Sequence, residues 1–220
     1  MKWRIGLGLV ALGAVLGLSP LAGLGDNYVP ATPDSLVAAQ ADNAITESYS
    51  GIIGTGDTQV PWTIKDGTLT LTGGTLRPFA DGWKNLSKGQ LITDLVEDNL
   101  DGLTLNDLQT MVTHIDISKK TIINNNASYL FANFPNVTSY TNLNNLDVST
   151  VNDSGLMYTG LSYMFAQNTA LQTFTAPCFS DTNAHSMMGM FTGDTNLVYL
   201  DLSQADTRSV TSITNLAYTS

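Results

Sequence analysis

Apolar and polar residues alternate from Trp62 to Leu71, and one Asp-Gly step interrupts the alternation. Asp-Gly between alternating apolar residues is a strong signal for a two-residue hairpin loop. With Asp66-Gly67 as the loop, Ile64 faces Leu69 and Trp62 faces Leu71. All four then share one face, as a half-buried hairpin requires. Gly73-Gly74 predicts the end of the second strand. Further on the period changes. Leu91, Ile92, Leu95 and Val96 recur at helical spacing, with Asp94, Glu97 and Asp98 on other faces. A helix is expected there, interrupted at Asp101-Gly102, with a second short helical turn from Asn106 to Met111. The glycines between Gly51 and Gly56 lack the Lys and the strand–helix context of a phosphate loop, and read as a flexible lead-in.

Beyond Met111 the pattern repeats: apolar, two residues, apolar, Asp, apolar, Ser. The copies are Val112–Ser118, Leu143–Ser149, a degraded Leu171–Pro177, and Leu197–Ser203, starting 31, 28 and 26 residues apart. A second element precedes three of them: Tyr129-Leu130-Phe131, Tyr163-Met164-Phe165 and Met190-Phe191. The gap from Phe165 to Leu171 equals that from Phe191 to Leu197. Two motifs recurring together, near the ~20–29-residue period of leucine-rich repeats, predict stacked units that bury a shared face. The expected fold is a leucine-rich-repeat-type solenoid of parallel short strands with short helical or 3₁₀ turns. A small hairpin-containing N-terminal module precedes it. Ile115, Ile117, Leu146, Val148, Phe174, Ala176, Leu200 and Leu202 should point inward against Phe131, Phe165 and Phe191. Because side chains alternate along a strand, the residues between them form outward columns. One holds His114, Asn145, Thr173 and Tyr199; the next holds Asp116, Asp147, Thr175 and Asp201. A third holds Ser118, Ser149, Pro177 and Ser203. The first two columns are the candidate binding face, with Asp116 and Asp147 as like charges on adjacent strands about 4.8 Å apart.

Several of these segments resemble the BspA-like leucine-rich-repeat surface proteins of lactobacilli and related bacteria. The resemblance rests on Tyr163-Met164-Phe165, on Met190-Phe191 followed by Leu197–Ser203, and on Asp206–Thr211. It also covers Leu143–Val151 and the Trp62–Leu71 hairpin. It implies an exported, wall-associated protein serving adhesion or host contact. The chain departs from the pattern at Thr175 and Pro177. It also reaches Ser220 just after another partial copy, without a Leu-Pro-x-Thr-Gly sorting motif or a terminal apolar span, which leaves a truncated product or a fragment open.

Composition narrows the function. Charged residues are 13% of the chain and the formal net charge is −10. Nucleic acid, which needs phosphate-neutralising cations, is not an expected partner. One cysteine, Cys178, excludes an intrachain disulfide. Lys2 and Arg4 precede an apolar run from Ile5 to about Leu18, too short to span a bilayer comfortably. Ala39-Gln40-Ala41 then fits small-x-small cleavage before Asp42, with an earlier cut near Ala22 as the alternative. The expected organisation is a signal peptide over 1–41, a β-rich and helical capping module over 42–110, and repeats over 111–220. The protein is expected outside the cell or at its surface, with no membrane span in the mature form.

No nucleophile elbow, His-Glu-x-x-His pair or Gly-Lys-Ser/Thr phosphate loop is present. Cys178 and His185 lack a third catalytic member, and His114 reads as a solvated strand residue. Glu97–Gly102 resembles the start of a calcium loop, but Leu108 stands where the closing Glu belongs. The expectation is a non-enzyme with no cofactor and no metal. Its partner would be a host matrix protein or a glycan; the alternative is a structural spacer or wall-coat element.

Overall fold

The computed structural model describes residues 48–78, 88–98, 102–152, 159–176 and 183–218, all within the compact unit Ile45–Ser220. The expected signal peptide, Asp101, Pro177 and Cys178 lie outside the described residues.

Two hairpins open the fold. Strands β1 (Ser48–Thr55), β2 (Thr58–Lys65) and β3 (Thr68–Leu71) pair antiparallel in chain order. Trp62 faces Leu71 and Ile64 faces Leu69, as the alternation predicts, and all four are buried. Asp66 and Gly67 take φ of 50° and 76°, the paired left-handed conformation whose twist matches the flanking strands. The glycine-rich segment is a strand rather than a lead-in: Gly51 and Gly54 lie in β1, opposite Trp62 and Gln59. A Cβ on Gly54 would sit 1.9 Å from the Thr58 carbonyl oxygen, so only glycine lets the hairpin backbone close there.

After the two-residue strand β4 (Gly74–Thr75) come α1 (Gln90–Asp98) and α2 (Leu105–Met111). The apolar face of α1 buries Leu91, Ile92 and Leu95. Helix α2 starts at a capping box, in which Thr104 and Asp107 each satisfy the other's backbone N–H. Then follow β5 (His114–Ile117), β6 (Thr121–Ile122), β7 (Ser139–Thr141), β8 (Leu146–Asp147), β9 (Thr173–Thr175) and β10 (Tyr199–Asp201). They form a five-stranded sheet β1-β2-β3-β5-β7, a strip β4-β6-β8 and a pair β9-β10.

This corrects the expected all-parallel solenoid. The main sheet is mixed: β1/β2 and β2/β3 are antiparallel, while β3/β5 and β5/β7 are parallel. The cause is local. A two-residue Asp-Gly loop can only return the chain antiparallel, and β3 then templates β5, Leu69 against Ile115. The same sheet therefore takes β1, β2 and β3 from before residue 110 and β5 and β7 from after it.

The second repeat copy is also displaced. The strand beside β5 is Ser139–Thr141, with His114 opposite Ser139. Leu146-Asp147 pairs instead with Thr121-Ile122. Val137 is the buried residue corresponding to Leu171. Its distance from Phe131 equals that from Phe165 to Leu171.

The Phe-bearing elements are neither helical nor 3₁₀. They are runs of consecutive turns bonded to one another rung by rung. Ala127, Tyr129, Phe131 and Asn133 donate N–H bonds of 2.8–3.1 Å to Gly160, Ser162, Met164 and Ala166. Leu161, Tyr163, Phe165 and Gln167 donate bonds of 2.8–3.0 Å to Ser186, Met188, Met190 and Thr192. Met187, Gly189, Phe191 and Gly193 continue at 2.7–2.9 Å to Ser212, Thr214, Leu216 and Tyr218. The intervening residues bond within their own run, as Met164 N–H does to Leu161. Nearly every backbone donor of the runs is thus satisfied without helix or strand.

The core lies between this turn ladder and the strands. Phe131, Phe165 and Phe191 stack, with neighbouring ring centroids 5.5 Å apart. Phe174 of β9 meets Phe165 at 4.6 Å and Phe191 at 4.9 Å. Of the residues expected inward, Leu200 and Leu202 are only half-buried. Strand β10 has a sheet neighbour on one side alone among the described residues.

Candidate functional site

The strand face carries the residues expected to bind. It does not assemble them into unbroken columns. Thr173 and Thr175 do stand opposite Tyr199 and Asp201. Asn145, however, lies in a 3₁₀ turn (Leu143–Asn145) and donates from Nδ2 to the Ile117 carbonyl at 2.8 Å. Asp116 and Asp147 belong to different sheets, so they do not stand opposite one another on adjacent strands: Thr141 is opposite Asp116 and Ile122 is opposite Asp147. Each carboxylate has nearby donors. Asp116 accepts from Thr141 Oγ1 at 2.8 Å and Asn142 Nδ2 at 2.7 Å. Asp147 accepts from the backbone N–H of Ser149 at 2.9 Å and its Oγ at 2.6 Å, and Lys120 Nζ lies 2.8 Å away. Lys120 and Ser149 hold the Asp147 carboxyl down to about 2. The backbone of Ser203 donates to Asp201 at 2.8 Å and lowers its carboxyl likewise. In two copies the Asp-x-Ser signature is therefore a local turn. His114 is exposed, with Thr113 Oγ1 3.0 Å from its Nδ1.

A second surface lies on the far side of the phenylalanine core, on the outward side of the turn ladder. In each run two positions four residues apart take the left-handed conformation. They are Tyr129 and Asn133, then Tyr163 and Gln167, then Gly189 and Gly193, with φ from 55° to 81°. Stacking the runs places the Tyr129 and Tyr163 rings face to face, 4.7 Å apart and within 7° of parallel. Glycines at the same positions of the third run give these side chains room. A Cβ on Gly189 would fall 2.3 Å from Tyr163 Cε1, and one on Gly193 would fall 2.2 Å from Gln167 Nε2. Between the tyrosine wall and the amide wall runs an open groove of about 390 Å³, floored by Ala132, Ala166 and Thr192. None of its lining residues is charged.

The sequence carried a trace of this groove. Tyr129 and Tyr163 each stand two residues before the repeated Phe, with an amide four residues beyond the Tyr. The alternating left-handed backbone at these positions has no period-two or period-3.6 signature, so it leaves no mark in the apolar pattern.

A third cluster is structural. Arg77 Nε donates to Asp94 Oδ1 at 2.9 Å, and its guanidinium also meets Glu97 and Asp98. Gln90 Nε2 adds bonds of 2.9 and 2.8 Å to the two oxygens of Asp94. Asp98 Oδ2 accepts from the Gly54 N–H at 2.8 Å, which ties the suspected calcium-loop carboxylate to β1. Among the described residues, no group of three His, Cys, Asp or Glu is placed to hold a metal ion. No helix among them is long and apolar enough to cross a membrane.

Comparison of the chain with protein families, with characterised proteins and with solved structures finds no match.

Proposed function

We propose that the chain is a non-catalytic binding module of a bacterial surface, exported by its N-terminal segment, and that its ligand meets the turn face. The observation that carries this is the conformation of two tyrosines. Tyr129 and Tyr163 hold φ of 55° and 56°, a region that costs a non-glycine residue about 1–2 kcal/mol. The third rung occupies the same position with Gly189, so folding alone does not require a tyrosine there. Strain retained at a half-exposed aromatic pair beside a groove points to use of that pair. The residues that resemble BspA-like surface proteins support adhesion as the role.

The strand face supports the alternative role for itself. Asp147 and Asp201 bond to their own turns, so that face reads as scaffold. Solid-phase binding of the purified chain to immobilised host matrix tests the adhesion reading. Saturable binding, competed by soluble chain, is expected; binding that neither saturates nor competes removes adhesion and leaves a spacer.

A further inference from the structure

The groove on the turn face has a composition that selects a ligand class. Its lining carries no charge, so an ionic ligand finds no counter-ion in it. The tyrosine rings cover one another, and Gly189 lies against the other face of Tyr163. Tyr163 therefore presents a ring edge rather than a face. The opposite wall is made of the carboxamides of Asn133 and Gln167. Amide and phenol groups both donate and accept hydrogen bonds, which matches a ligand whose own groups do both. The backbone N–H groups of Tyr129, Asn133, Tyr163 and Gln167 bond to the next rung. A peptide strand finds none of these free to extend by backbone pairing, the usual main-chain route to an added strand. The groove takes lining residues from three successive rungs and is open to solvent.

We infer that the Tyr129–Tyr163 groove binds a neutral glycan, with sugar hydroxyls held between the tyrosine hydroxyls and the Asn133 and Gln167 amides. This rests on the reading of the chain as a binding module and names the ligand class for that site.

The test is affinity electrophoresis of the full chain in gels containing one soluble polysaccharide each. Neutral probes are an α-glucan, a β-glucan, a mannan and a galactan; hyaluronan and heparin are the anionic probes. Retardation by at least one neutral polymer and by neither anionic polymer is expected. Tyr163→Gly copies the residue of the third rung and so relieves strain while removing the wall. It should weaken that retardation at least tenfold. Thr192→Arg blocks the floor and leaves both walls in place, and should do the same. Asp201→Asn on the strand face should change nothing. Each variant is accepted only if its circular dichroism and melting match a folded chain. No retardation by any neutral polymer overturns the inference, as does retardation unaffected by both groove variants. Preference for heparin or hyaluronan overturns it too. If matrix binding persists while every neutral polymer fails, the binding-module reading stands and the glycan assignment alone falls. If both fail, the module reading falls with it.

Discussion

The backbone N–H of Asn168 donates to Asp194 Oδ1 at 2.8 Å, just as the Phe134 N–H donates to Asn168 Oδ1 at 2.9 Å one rung earlier. Asp194 repeats the place of Asn168 in the ladder, but a carboxylate has no N–H to give. Asn168 Nδ2 donates to the carbonyls of Phe131 and Phe165 and to the Tyr140 hydroxyl. Asp194 Oδ2 is buried with no hydrogen-bond partner among the described residues. Burial pushes the Asp194 carboxyl up to about 7, against the pull of the Asn168 and Gln167 N–H groups.

The consequence for stability has a definite sign. Between the ordinary value of 3.8 and about 7 the native state keeps a proton that the unfolded chain releases. The protein should be most stable with respect to this group below about pH 4. It should lose that stability as pH rises to about 7 and stay level above. Asp194→Asn restores a neutral amide. At pH 8 it should melt higher than the parent chain, by an amount corresponding to a few kcal/mol at about 1.4 kcal/mol per pKa unit. At pH 4 the two should nearly coincide. Thermal melts across this range check it; parallel curves contradict it.

Arg77 and Asp94 make a second stability test. Asp94 is 3% exposed, and removing Arg77 leaves a buried carboxylate with the Gln90 amide but without its counter-ion. Arg77→Met should destabilise by about 1–3 kcal/mol. Adding Asp94→Asn should recover much of that loss, because the amide needs no counter-ion. Denaturant melts of the single and double variants form the cycle. Additive losses would show the pair to be uncoupled.

The phenylalanine stack sets the register of the rungs. Phe165 is fully buried between Phe131 and Phe191 and touches Phe174. Phe165→Ala should cost about 3–5 kcal/mol through lost burial and the cavity left behind. A variant melting like the parent chain would contradict the packing.

The sequence made some of this legible and hid the rest for physical reasons. Alternation around Asp66-Gly67 was enough for the hairpin and its register, because a two-residue loop leaves one pairing. The inward residues of β5 and β9 followed from the same period. The all-parallel architecture did not follow. Local pattern says nothing of which strand templates the next, and β3 lends its free edge to β5. The second copy was misplaced because Leu143–Ser149 matches the motif better than Val137–Thr141 does. Tyr140 fills the apolar place in the true strand, with its ring packed at 5.1 Å against Phe165. The candidate site was legible only in part. Thr173 and Tyr199 do meet as expected, whereas Asn145 is drawn away by its bond to Ile117. The tyrosine groove depends on left-handed residues at positions where sequence gives little warning of them.

Asp147 supplies a contrast with Asp194. Its carboxyl is lowered to about 2 by Lys120 and Ser149, so its contribution is present above pH 4 and fades as pH falls toward 2. Asp147→Asn should therefore lower the melting temperature slightly at pH 7 and not at pH 2. Melts at the two pH values check this; an equal effect at both would mean that the charge is idle.

The central claim is that ligand meets the turn face and not the strand face. The most direct measurement is the binding isotherm of the full chain on immobilised host matrix, run beside two double variants. One is Tyr129→Gly with Tyr163→Gly; the other is Asp147→Asn with Asp201→Asn. The account predicts at least a tenfold loss of affinity in the tyrosine pair and an unchanged isotherm in the aspartate pair, with both folded. Lost binding in the aspartate pair alongside retained binding in the tyrosine pair would contradict it and return the function to the strand face.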